Sequence, residues 1–293
     1  FSIMLFCTVF MMYPRAEVSA KRIEEVFNLD PIIKNKPADS DFDEKVSIEF
    51  DHVTFVYPDG EEPVLQDVSF KANKGEMIAF IGSTGSGKST LVNLVPRFYD
   101  VSSGSIKING KDIRDYDVLE LRDKLGVIPQ KAVLFSGTIA DNIRFGKKDA
   151  SDEEVEYAAK VAQAYPFIME KENGFDEEIS EGATNVSGGQ KQRLSIARAL
   201  VRKAQIYIFD DSFSALDFKT DAILRKELKK EMTESIMLVV AQRISSIMEA
   251  DQIIVLNEGK VVGKGTHHQL LKECQIYHEI ATSQLSEEEL ANA

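Results

Sequence analysis

A short apolar run, Met77-Ile78-Ala79-Phe80-Ile81, continues directly into the glycine-rich segment Gly82-Ser83-Thr84-Gly85-Ser86-Gly87-Lys88-Ser89. A short apolar run next to glycines is typical of a strand buried on both faces of a parallel sheet. The residues after it match the phosphate-loop pattern G-x-x-x-x-G-K-[ST], whose backbone N–H groups surround phosphate oxygens. In that pattern Lys88 reaches the terminal phosphates and Ser89 offers its hydroxyl to Mg²⁺. The sequence therefore predicts a site for a nucleoside triphosphate and Mg²⁺.

A second motif, Ile206-Tyr207-Ile208-Phe209-Asp210-Asp211, is an apolar strand that ends in two acids. A carboxylate in this position commonly helps to hold Mg²⁺ in phosphate-loop enzymes. We assign Asp210 to the magnesium ion and Asp211 to the position of the catalytic base. Other runs of strand length lie at 126–128, 236–240 and 253–256, and helical stretches alternate with them, which predicts a parallel α/β core.

The charge balance argues against nucleic acid as a partner. The 293 residues contain 35 Lys and Arg against 48 Asp and Glu, a formal net charge of −13, without a basic block. Such a surface repels a phosphate backbone. Two distant cysteines and four histidines show no metal-binding spacing, which indicates a reducing, cytosolic setting.

The N-terminal segment 1–13 is almost unbroken apolar sequence. As a helix it would reach only ~20 Å, less than the ~30 Å hydrocarbon core of a bilayer. It could be a signal peptide or a buried core helix, but we favour the truncated end of a transmembrane helix. Residues 14–45 then form an amphipathic helix, over Arg15–Asn28, and a linker, and residues 286–293 form an acidic tail.

A third motif precedes a helical run and reads Val186-Ser187-Gly188-Gly189-Gln190-Lys191-Gln192-Arg193. It resembles the signature motif of ATP-binding cassette (ABC) proteins. Val127-Ile128-Pro129-Gln130 and the residues after it resemble the glutamine loop of ABC exporters, and Ser214-Ala215-Leu216-Asp217 is similar to the family's dimer-interface loop. The resemblance covers roughly residues 46 to 275. It implies a nucleotide-binding domain over 46–285, with a phosphate-loop (RecA-like) parallel core, an antiparallel β subdomain and an inserted helical subdomain at about 131–187.

The same resemblance implies which residues bind the cofactors, ATP and Mg²⁺. The residues expected to contact ATP are Tyr57, as the aromatic on adenine, with Gly82, Ser83, Thr84, Gly85, Ser86, Gly87, Lys88, Ser89, Thr90, Ser187, Gly188, Gly189 and Gln190. The expected magnesium ligands are Ser89, Gln130 and Asp210, and the catalytic positions are Asp211, Gln242 and Gln130. The signature residues reach ATP only across a dimer with a second nucleotide-binding domain.

Two catalytic positions depart from the family pattern. Most members have Glu where this chain has Asp211, and His where it has Gln242. Asp is one methylene shorter, and an amide cannot transfer a proton as imidazole can. The pair resembles the degenerate half of a heterodimeric, multidrug-type exporter. This resemblance implies a partner nucleotide-binding domain on a different chain, transmembrane domains missing from this chain and a place at the cytoplasmic face of the cell membrane. The alternatives are a soluble ABC ATPase and an ATP-binding switch without a transport role.

Overall fold

The computed structural model describes residues 1–37 and 46–285. The chain divides into two units, the first of which ends at Asn35 and the second of which begins at Lys36. The predicted acidic tail, 286–293, and positions 38–45 of the predicted linker lie outside the described residues.

The first unit consists mainly of one exposed helix, α1 (Ser2–Phe27), which is longer than the sequence predicts. The apolar and the amphipathic segments are continuous through Pro14, so that the helix is ~39 Å long rather than ~20 Å. Among the described residues, it is the one helix long and apolar enough to cross a bilayer, a test that signal sequences also pass.

The second unit contains all the strands of the described chain. In order they are β1 (Ser47–Phe55), β2 (Leu65–Asn73), β3 (Met77–Gly82), β4 (Ser103–Ile108), β5 (Lys111–Asp112), β6 (Leu125–Ile128), β7 (Gly137–Thr138), β8 (Glu178–Ile179), β9 (Ile206–Asp210), β10 (Ile236–Val240), β11 (Gln252–Asn257) and β12 (Lys260–Gly265). Its helices are α2 (Lys88–Leu94), α3 (Val118–Asp123), α4 (Ile139–Arg144), α5 (Asp152–Val161), α6 (Tyr165–Met169), α7 (Gly188–Leu200), α8 (Phe218–Glu231), α9 (His267–Glu273) and α10 (Gln275–Gln284).

The strands form two main sheets, and the predicted α/β fold is confirmed. The larger sheet has the order β12-β11-β3-β10-β9-β6, in which all neighbours are parallel except β12. The smaller sheet, β2-β1-β4-β5, is antiparallel and includes the hairpin turn Asn109-Gly110. Helices α4 to α6 and the short β7–β8 pair form a helical subdomain between β6 and α7.

The two faces of β3 explain its continuous apolar sequence. Side chains alternate along a strand. Ile78 and Phe80 pack into the core shared with the antiparallel sheet, whereas Ala79 and Ile81 pack into the core shared with the helices. All four are at most 1% exposed. This central strand therefore holds the phosphate loop, which begins at its carboxyl end, between two packed layers.

Candidate functional site

The phosphate loop connects β3 to α2 in a conformation that requires glycine. Gly82 has φ +153°, and a Cβ there would lie 2.0 Å from the Leu256 carbonyl oxygen. Gly87, which caps α2, has φ +96°. Lys88 Nζ lies over the loop and donates to the carbonyl oxygens of Gly82 (2.9 Å) and Ser83 (2.7 Å). Burial lowers the pKa of the Lys88 ammonium, although nearby carboxylates oppose the shift.

The loop borders a cavity of 710 Å³, a size typical of small-molecule sites. Three residues from other segments of the chain line the same cavity, as the sequence predicts for one shared site, namely Gln130, Asp211 and Gln242. The loop's own contributions are Gly82, Ser83, Thr84, Gly85, Gly87, Lys88, Ser89 and Thr90. The structure therefore gathers most of the candidate residues around one opening.

Ser89 and Asp210 meet beside this cavity, although 121 residues separate them in sequence. Ser89 Oγ donates a 2.8 Å hydrogen bond to Asp210 Oδ1. The contact forms because β3 and β9 flank β10 in the parallel sheet, so that their carboxyl ends share one edge. Burial raises the pKa of the Asp210 carboxyl, while the bond from Ser89 opposes the shift.

Asp211 is held by two side-chain amides. Its Oδ2 accepts hydrogen bonds from Gln130 Nε2 at 3.0 Å and from Gln242 Nε2 at 2.6 Å. The residue is 6% exposed and has a positive φ of 47°, and its N–H donates to the Val240 carbonyl oxygen at 3.0 Å. The carboxylate thus has a defined orientation at the cavity wall.

Tyr57 and Thr90 contact each other at the other side of the loop. Their hydroxyl oxygens are 2.9 Å apart, and the Tyr57 ring meets Phe55 and Tyr99 edge-on. This packing holds the aromatic side chain on the antiparallel sheet, next to the start of α2.

The structure does not bring the signature residues to this cavity. Ser187 begins α7 with a capping box, in which its hydroxyl accepts from Gln190 N–H and Gln190 Oε1 accepts from Ser187 N–H. A Cβ at Gly188 would meet nothing within 4 Å, so the start of α7 is open on this side. Of the described residues, the signature segment contributes none to the lining of the 710 Å³ cavity.

Sequence reasoning missed the contribution of α10 to the cavity. Five residues of this helix line it, namely Ile276, Glu279, Ile280, Ser283 and Gln284. The alternation of apolar and polar residues in α10 indicates only an amphipathic helix, and no motif connects it to the phosphate loop.

A magnesium ion would need ligands other than a cluster of acids and histidines. Within residues 1–37 and 46–285, no group of three or more His, Cys, Asp or Glu side chains could hold a metal ion. The Ser89 hydroxyl and the Asp210 carboxylate are nevertheless hard oxygen ligands, of the kind that Mg²⁺ combines with substrate phosphates. The residues present therefore fit a nucleotide-bound magnesium ion.

Comparisons with known proteins show what this chain is similar to. The family model described as "ABC transporter" matches residues 65–214. The chain is 44% identical over 276 residues to an ABC transporter ATP-binding protein of Mycobacterium tuberculosis, covering 92% of this chain and 47% of that protein. It is 43% identical over 286 residues to the ABC transporter ATP-binding protein YfiB of Bacillus subtilis, covering 97% and 49%.

A structural comparison extends the similarity to an exporter. A solved structure of a bacterial Atm1-family ABC exporter with ATP bound matches 96% of this chain and 49% of that chain, with a TM-score of 0.89 and 34% sequence identity. A candidate multidrug export ATP-binding/permease protein of Staphylococcus aureus is 44% identical over 237 residues, which cover 81% of this chain and 41% of that protein. The chain spans about half the length of the curated relatives it matches, or less.

Proposed function

Because the chain belongs to the ABC transporter family, we propose that it is the ATP-binding part of a membrane exporter and that its own site hydrolyses ATP slowly. The observation that carries the proposal is the single cavity shared by the phosphate loop, Gln130, Asp211 and Gln242. The similarity to an exporter structure over 96% of the chain supports the transport role.

The phosphate loop would bind the triphosphate of ATP. In a phosphate loop, glycines allow backbone N–H groups to surround phosphate oxygens, and Lys88 would exchange the loop carbonyls for phosphate oxygens. Tyr57 would stack on adenine, since its ring lies beside the start of α2 through the contact with Thr90.

Ser89 and Asp210 would hold Mg²⁺, with Gln130 as a further oxygen ligand. The first two already present oxygen atoms to each other at 2.8 Å. The Gln130 side chain donates an Nε2–H to Asp211 Oδ2, which leaves its carbonyl oxygen as the atom suited to a cation. When bound, Mg²⁺ neutralises charge on the phosphate oxygens during phosphoryl transfer.

Slow hydrolysis follows from the chemistry of Asp211 and Gln242. Asp211 would orient the attacking water, and two amides fix the direction of its carboxylate, but its side chain is one methylene shorter than that of Glu and reaches less far into the cavity. Gln242 can hydrogen-bond a phosphate but cannot accept a proton at neutral pH. Both departures weaken general base catalysis at the same site.

The signature residues would act on a partner's ATP. Ser187, Gly188, Gly189 and Gln190 lie at the start of α7 and outside the chain's own cavity. We propose that a second nucleotide-binding domain, on a different chain, offers its phosphate loop to them and completes this chain's site with its own signature. Transmembrane domains, to which α1 would belong, would place the assembly at the cytoplasmic face of the membrane.

Equilibrium titration with ATP tests this function. Lys88→Ala removes the charge-assisted phosphate contacts, and we expect at least a tenfold loss of ATP affinity in the presence of Mg²⁺. Lys272→Ala, on the exposed surface of α9, is the matched control and should bind ATP as the unaltered chain does. Equal affinity of the Lys88 variant and the control would refute the phosphate-loop assignment.

A further inference from the structure

Gln284, in the last turn of α10, makes two hydrogen bonds to the backbone segment that carries Gln242. Its Nε2 donates to the Gln242 carbonyl oxygen at 2.9 Å, and its Oε1 accepts from the Ile244 N–H at 2.8 Å. One side-chain amide thus satisfies both a donor and an acceptor of the same segment, as a neighbouring strand would.

The segment that Gln284 holds is short and lies between two anchored elements. Before it, the Ala241 N–H donates to the Phe80 carbonyl oxygen at 3.1 Å, next to the phosphate loop. After it, a single 3₁₀ turn runs over Ile244–Ser246. Gln284 therefore contacts the segment at the point where Gln242 extends its side chain to Asp211.

The helix that carries Gln284 is itself firmly packed. Tyr277 and Ala281, one turn apart, are completely buried, and the Tyr277 hydroxyl contacts His267 Nδ1 at 2.7 Å. Ile280 and Gln284, also one turn apart, line the nucleotide cavity instead. Because one side of α10 is fixed in the core, the amide on its other side has a defined position.

We infer that Gln284 is a positioning residue for ATP hydrolysis, because it holds the 242–244 backbone so that the Gln242 amide keeps the Asp211 carboxylate oriented. This inference rests on the proposed function. It follows that α10 acts on catalysis through Gln242 and Asp211, not through the Lys88 and Ser89 contacts that would bind the triphosphate.

The test compares Gln284→Leu, which removes both hydrogen bonds at nearly constant volume, with Gln275→Leu. Gln275 lies on the exposed side of the same helix, where its side-chain amide donates a hydrogen bond to the Glu279 side chain. Single-turnover hydrolysis is measured with the full chain at high concentration and in large excess over ATP, so that a second copy can supply the signature segment and slow rates are accessible. ATP affinity is measured in parallel.

We expect Gln284→Leu to reduce the hydrolysis rate about fivefold, because the net contribution of roughly one hydrogen bond to the orientation of Asp211 is lost. ATP affinity should change less than twofold. Gln275→Leu should change neither. If Gln284 acts through Gln242, the same substitution should have no further effect in a Gln242→Ala background. An unchanged or increased rate, or additive losses in the double variant, would overturn the inference.

A spectroscopic readout makes the result independent of turnover. The side-chain NH₂ resonances of Gln242, assigned by their loss in Gln242→Ala, should report its 2.6 Å bond to Asp211. They should move towards free-amide positions in Gln284→Leu and in Gln284→Glu, whose carboxylate cannot donate to the Gln242 carbonyl, and stay in place in Gln275→Leu. Unmoved resonances contradict the inference, whereas failure of the unaltered chain to bind ATP contradicts the proposed function instead.

Discussion

Gln242 donates a 2.6 Å hydrogen bond from Nε2 to Asp211 Oδ2 across the carboxyl ends of two adjacent parallel strands. The two residues are also the positions that the resemblance singles out, Asp211 where ABC proteins are expected to have Glu and Gln242 where they are expected to have His. Their contact shows that the departures are physically connected, since the amide at one supports the shortened carboxylate at the other. A second amide, from Gln130, donates to the same oxygen at 3.0 Å.

Restoring the family residues at both positions should increase turnover. Asp211→Glu extends the carboxylate by one methylene into the cavity, and Gln242→His supplies a group that can transfer a proton. We expect the double variant to hydrolyse ATP at least tenfold faster than the unaltered chain, because a well-placed general base contributes ~10²–10⁴ in rate. Single-turnover assays at high protein concentration measure it, and each single variant should gain less. Rapid hydrolysis by the unaltered chain would show that Asp211 suffices.

Removing the charge of Asp210 should affect ATP binding only when Mg²⁺ is present. Asp210→Asn keeps the shape of the side chain, but the amide is a poorer ligand for a hard cation than a carboxylate. We expect about a tenfold loss of ATP affinity in Mg²⁺ and little change in EDTA. Asp123→Asn, at an exposed pair with Arg202, is the control and should behave as the unaltered chain does. Equal losses with and without Mg²⁺ would contradict the assignment.

The strands of the core were predictable because their apolar runs are short and continuous, as at Ile236–Val240, where all five residues are buried. The edge strand β12 was missed, since its residues alternate between exposed and half-buried and include lysines. The length of α1 was underestimated because Pro14 and the change to charged residues suggested two segments.

The phosphate loop and the strand-end acids were predictable because their chemistry depends on local sequence spacing. Gln284 was not, since its contacts with Gln242 and Ile244 span 42 and 40 residues and depend on how α10 packs. A lone amide on an amphipathic helix carries no local signal of such a contact. The tertiary structure alone brings it to the site.

The helical subdomain should be sensitive to the charge of Glu154. This carboxylate accepts hydrogen bonds from Lys147 Nζ at 2.8 Å and Lys203 Nζ at 3.0 Å, which lower its pKa to about 2. Because the pKa of this carboxyl is lower in the folded chain than the ordinary value of 4.5, its ionisation stabilises the folded state at pH values above 4.5. This stabilisation is lost as the pH falls through about 2. We expect Glu154→Gln, which can still accept from the Ser151 N–H, to lower the thermal midpoint slightly at pH 7.

The pH dependence separates this effect from a loss of packing. The difference in thermal midpoint between Glu154→Gln and the unaltered chain should shrink as the pH falls from 4.5 towards 2. High salt at pH 7 should reduce it as well, because both lysines are accessible to counterions. A difference that is constant with pH would mean that the charge of Glu154 is not its cause.

Gly188→Asp should block the partner's ATP without unfolding this chain. A Cβ at Gly188 meets nothing within 4 Å, so a side chain fits the folded monomer, and the thermal midpoint should change little. In a dimer the same open side would face the partner's γ-phosphate, where a carboxylate adds bulk and like charge. We expect the ATP-induced association of this chain with a second nucleotide-binding domain, measured by sedimentation, to weaken at least tenfold. The affinity of the chain's own cavity for ATP should be retained. Gly188→Ala, which adds bulk without charge, should have a smaller effect, and undiminished association of the Asp variant would place the dimer contact elsewhere.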